Sequence, residues 1–304
     1  MTKKKTPPEK TAEYDQSERI KRLVVIGIFS DDYLMERLVL KGGNALNLVL
    51  QIGTRASVDI DLSMENDFPP EELESVRVRL ENRLQEVFNA EHFHVFDVTL
   101  KSKPDLVSPE VAKFWGGYLA TFKLLEEKHW KQCAGDLSAM QRNSLKVGAK
   151  GKFEIDISKF EYCARKTAVD MDGFQVFVYS NEMIVAEKLR AICQQMPEYG
   201  PVVHRKRPGA ARARDFLDIH TLITHFKLDI TAPKNLELLK LIFKAKRVPI
   251  ELLGKIGGFR EFHRADFKSV VDTVKPGVAL RDFDFYFDFV LQQADRLLKA
   301  LGNV

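Results

Sequence analysis

The sequence predicts a mixed α/β (α+β) protein: a mixed sheet with flanking helices over residues 16–180, then a helical domain over 181–304. Two patterns carry this prediction. Short segments that alternate apolar and polar residues, the signature of strands with one buried face, recur from SVDIDLSM through HFHVFDVTL, YLATFKLL and KFEIDISKF, with the apolar FQVFVYS after them. From about residue 181 the strand patterns stop, and NEMIVAEKLRAICQQ, RDFLDIHTLITHF, NLELLKLIFKA and DFDFYFDFVLQQADRLLKAL all carry helical periodicity.

The individual elements follow from local chemistry. Residues 1–15, which include MTKKKTPPEK, have charge but no apolar segment behind it, so a disordered lead-in is expected rather than a signal peptide. Residues 16–38 place Ile20, Leu23, Val24 and Ile28 on one helical face, with Gly27 weakening the helix midway. A short helix over 44–51 is expected after the Gly42–Gly43 pair. PPEELESVRVRLENRLQEVF opens with proline and glutamates, as a helix N-terminus should, and runs helical to about residue 89. QMPEYGPVVHRKRPGAARA, rich in Pro, Gly and Arg, is a loop between two helices. Phe283, Phe285, Phe287 and Phe289 alternate with polar residues and Tyr286, which predicts a docking segment, part strand-like and part helical.

With 304 residues, 45% hydrophobic and 30% charged, the chain has the balance of a soluble globular protein. No apolar run approaches the ~20 residues that span a bilayer, so no membrane association is expected. The three cysteines lack metal-ligand spacing, and a reducing cytoplasm is the simpler expectation. A net charge of +4 permits an anionic partner.

Asp59 and Asp61 interrupt the best strand pattern. Side chains two apart on a strand share a face and lie roughly 6.5–7 Å apart. Val58, Ile60 and Leu62 then face the core, and the two aspartates face outward together. Two like charges side by side repel, and a hard divalent cation relieves that cost; a plain solvated face is the alternative for D-x-D alone. KFEIDISKF repeats the device, with Glu154 and Asp156 opposite Phe153, Ile155 and Ile157. If the two strands are neighbours, Asp156 approaches Asp59 and Asp61, and three carboxylates make a site for two Mg²⁺ ions ~3.5–4 Å apart. Gly42 and Gly43, just before a helix, let backbone N–H groups approach a phosphate. Ser57, and Arg55 if the strand extends that far, share the aspartates' face and can meet a phosphate oxygen.

These residues resemble the nucleotidyltransferase fold of the DNA polymerase β superfamily, and LKGGNALNLVL…TRASVDIDLS looks like the first motif of the AbiEii/AbiGii toxin family. KFEIDIS is similar to the strand of the superfamily's third carboxylate, and AEKLRAI (Lys188) and ARDFLDIHTL (Asp215, Asp218) match later segments. The resemblance covers residues 35–225. It implies a polymerase β-like fold whose C-terminal helical domain completes the cleft, and transfer of a nucleotide from an NTP. It further implies Asp59, Asp61 and Asp156 on Mg²⁺, and Gly42, Gly43, Ser57 and Arg55 on the substrate. Lys188 would meet the triphosphate as a point charge, and Asp215 would be a late polar residue needed for activity. It also implies a toxin of a toxin–antitoxin or abortive-infection system with a cognate antitoxin.

The basic loop HRKRPGAARAR adds Arg205, Lys206, Arg207, Arg212 and Arg214, placed to touch NTP phosphates or an RNA backbone. The acceptor is an RNA, in particular a tRNA 3′ end, or a protein hydroxyl. The competing class is a nucleotide-binding or partner-docking protein without turnover. His92 and His94 on one strand face, and Cys163 and Cys193, read as structural. Sequence selects neither the NTP nor the oligomeric state, and it assigns no role to 226–304.

Overall fold

The computed structural model describes residues 7–45, 59–133, 135–147, 151–274 and 278–302. Helix α1 (Pro7–Phe29) begins within the span expected to be a disordered lead-in, and it runs unbroken through Gly27. The glycine is tolerated because the helix over Leu73–Ala90 crosses there: a Cβ on Gly27 would touch Arg83 O and Leu84 at 3.4 Å. Helix α2 (Asp32–Arg37) starts at Asp31, whose carboxylate accepts the Leu34 N–H. Strand β1 (Val39–Leu40) leads through Lys41 into a single turn, α3 (Gly42–Asn44). The helix expected over 44–51 falls mostly on residues 46–58, outside the described residues.

Strand β2 (Ile60–Ser63) buries Ile60 and Leu62 as expected, while Asp59 stands just before it. A 3-10 turn at Pro70–Glu72 opens α4 (Leu73–Ala90), whose Val76, Leu80, Leu84 and Phe88 are buried at helical spacing. Then come β3 (Phe93–Lys103), α5 (Pro109–Ala112), β4 (Gly117–Glu126), α6 (Glu127–Cys133), α7 (Leu137–Arg142) and β5 (Phe153–Ser158). Strands β6 (Thr167–Met171) and β7 (Phe174–Val178) form a hairpin around Gly173 (φ +83°). His92 is not on the strand with His94: it sits in the preceding turn at φ 62°.

The seven strands form one mixed sheet in the order β3-β4-β5-β2-β1-β7-β6. The central pair, β2 and β5, is parallel, with Ile60 opposite Ile155 and Asp61 opposite Asp156. In a parallel pair, matched residues point to the same side. Ile60, Leu62, Ile155 and Ile157 therefore make one buried face, and Asp61 and Asp156 stand side by side on the other.

The remaining chain is helical: α8 (Asn181–Cys193), α9 (Ala213–Phe226), α10 (Pro233–Ala245), α11 (Arg260–Arg264), α12 (Phe267–Thr273) and α13 (Phe283–Gly302). Ser180 caps α8 by accepting the Met183 N–H. The alternating phenylalanines expected to be partly strand-like are wholly helical in α13. Phe283 and Phe287 lie one turn apart and pack on Phe216 of α9, with centroids at 5.5 and 5.1 Å. Two-residue alternation would put all four rings on one face; the 3.6-residue repeat buries Phe283 and Phe287 and leaves Phe285 exposed. No helix among the described residues is long and apolar enough to cross a membrane.

Candidate active site

A cleft of about 780 Å³ separates the acidic face of the sheet from the helical region. Gly42, Gly43, Asp59, Asp61, Asp156, Lys188, Arg212, Arg214 and Asp215 all line it. Lys41 N–H donates to Asp61 O at 2.9 Å, which ties the glycine turn to the aspartate strand. Gly42 adopts φ +67°, and a Cβ there would stand 2.7 Å from Asp61 Oδ2. Both the left-handed backbone and the close carboxylate demand glycine.

Burial in the cleft raises the Asp61 carboxyl to about 6, with Lys41 opposing and the Asp156 charge adding to the rise. Asp156 is paired with Lys103 Nζ. That lysine stands at the end of β3 opposite Gly117, where β4 presents no side chain. Among the described residues, no three His, Cys, Asp or Glu side chains are gathered to hold a metal ion.

The opposite wall is a network of buried charge. Lys188 is 3% exposed and donates to Asp215 at 2.9 Å and Asp218 at 2.7 Å. Arg212 Nε bonds the other Asp215 oxygen. Burial alone would raise Asp215, but Arg212 and Lys188 outweigh it and hold the carboxyl well below its usual range. The lysine expected to meet a triphosphate as an independent charge is thus clamped between two aspartates. A helix lysine over a neighbouring helix's first turn buries its stem and must find carboxylates there.

A second charged group lies deeper in the same cleft, and sequence reasoning missed it. Glu161 accepts two bonds from Arg190, at 2.6 and 3.2 Å. Lys41 and Lys246 stand 3.8 and 3.5 Å from its other side. Burial would raise Glu161; Arg190, Lys246 and Lys41 together hold it well below the carboxylate range. Burial pulls Lys246 down to about 8. Arg190 also stands 3.6 Å from Glu187, so the cleft floor holds three cations, Lys41, Arg190 and Lys246, against two carboxylates. The signal was weak, because isolated charges in apolar segments look like ordinary surface positions; only the Lys41–Gly42–Gly43 adjacency pointed here.

The basic loop divides into three. Arg212 and Arg214 line the cleft, and Lys206 and Arg207 are exposed. Arg205 is committed within the fold: its guanidinium donates to the carbonyls of Gln194, Gln195 and Met196. Gln194 is the C-cap of α8 and the other two follow it, so Arg205 pins the chain as it leaves that helix. Ser57 and Arg55 lie outside the described residues.

A mixed sheet that sets two aspartates and a second strand's carboxylate beside a Gly-Gly turn fits a nucleotidyltransferase. The chain belongs to the nucleotidyl transferase AbiEii toxin family of type IV toxin–antitoxin systems, whose family model matches residues 24–289. Membership implies an NTP substrate and an antitoxin partner. No curated protein matches. Among solved structures, the chain is similar to JHP933 from Helicobacter pylori, at 15% identity, TM-score 0.48, and coverage of 95% of this chain and 94% of that one. An antigenic nucleotidyltransferase-like protein from Paracoccidioides brasiliensis matches at 14% identity, TM-score 0.38, and coverage of 86% and 94%.

Proposed function

We propose that this toxin transfers the nucleoside monophosphate of an NTP to the 3′ end of an RNA, a tRNA in particular, in the presence of Mg²⁺. The observation that carries the reading is the in-register pair Asp61 and Asp156, facing one cleft beside Gly42. The acceptor hydroxyl forms the new bond to the α-phosphorus, the bond to the bridging oxygen breaks, and pyrophosphate leaves.

Asp59, Asp61 and Asp156 would hold Mg²⁺. Carboxylate oxygens suit a hard cation, and burial, with the Asp156 charge adding to it, raises the Asp61 carboxyl, a cost that a cation would relieve. Mg²⁺ bound there would supply charge stabilisation to the transferring phosphoryl group and activate the attacking hydroxyl. The Gly42–Gly43 turn would offer backbone N–H groups to phosphate, and Lys41, Arg190 and Lys246, beside Glu161 and Glu187, would offer it positive charge. Lys188 and Arg212 would hold Asp215 ionised at the cleft's helical wall. Arg214, with the exposed Lys206 and Arg207, would meet the RNA backbone. Translation without intact tRNA 3′ ends stops, which would account for toxicity in a bacterial or phage-defence setting, and for a cytoplasmic site of action.

One feature favours a second reading. Lys103 occupies Asp156, as in a nucleotide-binding or partner-docking protein that never gathers its carboxylates. Purified protein with Mg²⁺, each labelled NTP in turn and total RNA separates the two. Label in RNA supports transfer, label in protein moves the acceptor, and label in neither favours the binding module. Asp59→Ala should bring transfer to background with an unchanged melting temperature, because a half-exposed carboxylate contributes little packing. Full activity in that variant sinks the metal assignment.

A further inference from the structure

A second cavity of about 430 Å³ opens beside the cleft and shares Pro104, Trp115 and Gln194 with it. The two spaces differ in chemistry. Charged side chains dominate the cleft, whereas the second cavity is walled by Val107, Val111, Tyr199 and Val203 as well as Trp115. Its arginine, Arg205, has its terminal nitrogens on backbone carbonyls, while its buried Nε has no acceptor. A phosphate finds little to bind there. The volume lies within the ~300–1,000 Å³ common for small-molecule sites.

The cavity starts close to the chemistry. Lys103 touches Asp156, and the next residue, Pro104, already lines both spaces. The backbone at Trp115 is held on a fixed support: its main-chain N–H donates to Val111 O at 3.0 Å, and Phe114 beside it packs under Arg247 at 4.0 Å. Gln194 and Gln195 have different freedom. Gln195 is committed at both ends, to Ala191 O and the Ala210 N–H. The Gln194 carboxamide makes one long bond, 3.4 Å to Tyr199 Oη.

A nucleotide has the same two-part character as this pair of spaces: anionic phosphates joined by a ribose to a flat, weakly polar base. Resting on the nucleotidyltransferase reading above, we infer that the second cavity is a nucleobase pocket, with the base stacked on Trp115 and its edge against the Gln194 carboxamide. The base comes either from the incoming NTP or from the last nucleotide of the acceptor RNA.

The chain has only two tryptophans, Trp115 and Trp130. Trp130 stacks on His94 at the outer edge of the sheet and lines neither space, so Trp130→Phe leaves Trp115 as the single fluorescent reporter. The protein is titrated in Mg²⁺ with NTPs, with a short single-stranded RNA ending in a 3′-hydroxyl, and with inorganic tripolyphosphate. Saturable quenching by NTPs but not tripolyphosphate assigns the pocket to the incoming base; quenching by the RNA alone assigns it to the acceptor base. Trp115→Leu should then raise KM for that ligand about tenfold or more, with kcat changed less. Quenching by tripolyphosphate equal to that by NTP, or no quenching while label still enters RNA, overturns the pocket and leaves the transfer reading standing. Base-dependent quenching without any transfer upholds the pocket and removes turnover instead.

Discussion

At Gly42, one hydrogen in place of a methyl group decides whether the turn and the Asp61 carboxylate can coexist. The left-handed backbone costs an L-residue roughly 1–2 kcal/mol, which a domain of this size survives. The 2.7 Å approach to Asp61 is not survivable without moving the carboxylate. Gly42→Ala should therefore keep its circular dichroism spectrum and lose transfer at least a hundredfold, as measured with labelled NTP. Lys188 predicts the opposite balance. Removing it leaves Asp215 and Asp218 buried beside each other with one cation fewer, and breaking a buried pair of this kind costs about 3–5 kcal/mol. Lys188→Ala should show that loss in urea unfolding as well as reduced transfer; an unchanged unfolding midpoint would mean the clamp is weak. His263 adds a pH dependence. It is fully buried, its Nδ1 accepts the Arg212 N–H at 3.1 Å, and burial pushes it down to about 4. A histidine whose folded value lies below its unfolded ~6.5 is neutral in the native state, so the unfolded chain binds the proton first. Stability should fall as pH drops from about 6.5 to about 4, by on the order of 3 kcal/mol. His263→Gln should flatten that part of the profile in chemical denaturation measured at several pH values.

Elements differ in how much of them could be foreseen. The β2 and β5 strands were legible because each alternates cleanly, Ile60 and Leu62 against Asp61, and Ile155 and Ile157 against Asp156. Their adjacency was a condition of the sequence reading, with no direction attached, and the parallel pairing is what brings Asp156 to the cleft. β1 was missed because two residues are too few to show any period, and β6 because Thr167–Met171 is largely exposed. α13 was misjudged in part because phenylalanine at every second position imitates a strand; Phe216 and the helical repeat override that pattern. The basic loop was legible as basic but not as divided, since composition does not reveal that Arg205 faces the end of α8. Its division is testable. Arg205→Ala should lower the melting temperature by several degrees, whereas the Lys206→Ala/Arg207→Ala double variant should leave it unchanged. The double variant should instead weaken tRNA binding and flatten its salt dependence, with a slope change of up to about 1–2 for two lost phosphate contacts. An unaltered slope would remove the loop from the RNA interface.

Taken as a whole molecule, the cleft is assembled from residues far apart along the chain. Lys41 to Asp61 supply one wall, Lys103 to Asp156 its neighbour, and Lys188 to Asp266 the other side. The buried network around Glu161 joins these parts, since Lys41, Arg190 and Lys246 come from three separate segments and meet at one carboxylate. This is also the least legible part, because a buried cation in sequence is indistinguishable from a surface one until its partner is known. The parallel pairing of β2 with β5 has a further consequence. Ninety-five positions separate Asp61 from Asp156, and Asp215 follows later still. A ribosome that has made only the first half of this polypeptide has not yet made the strand that carries Asp156. The cleft can close only after α9 has followed, so any activity housed there waits for most of the chain.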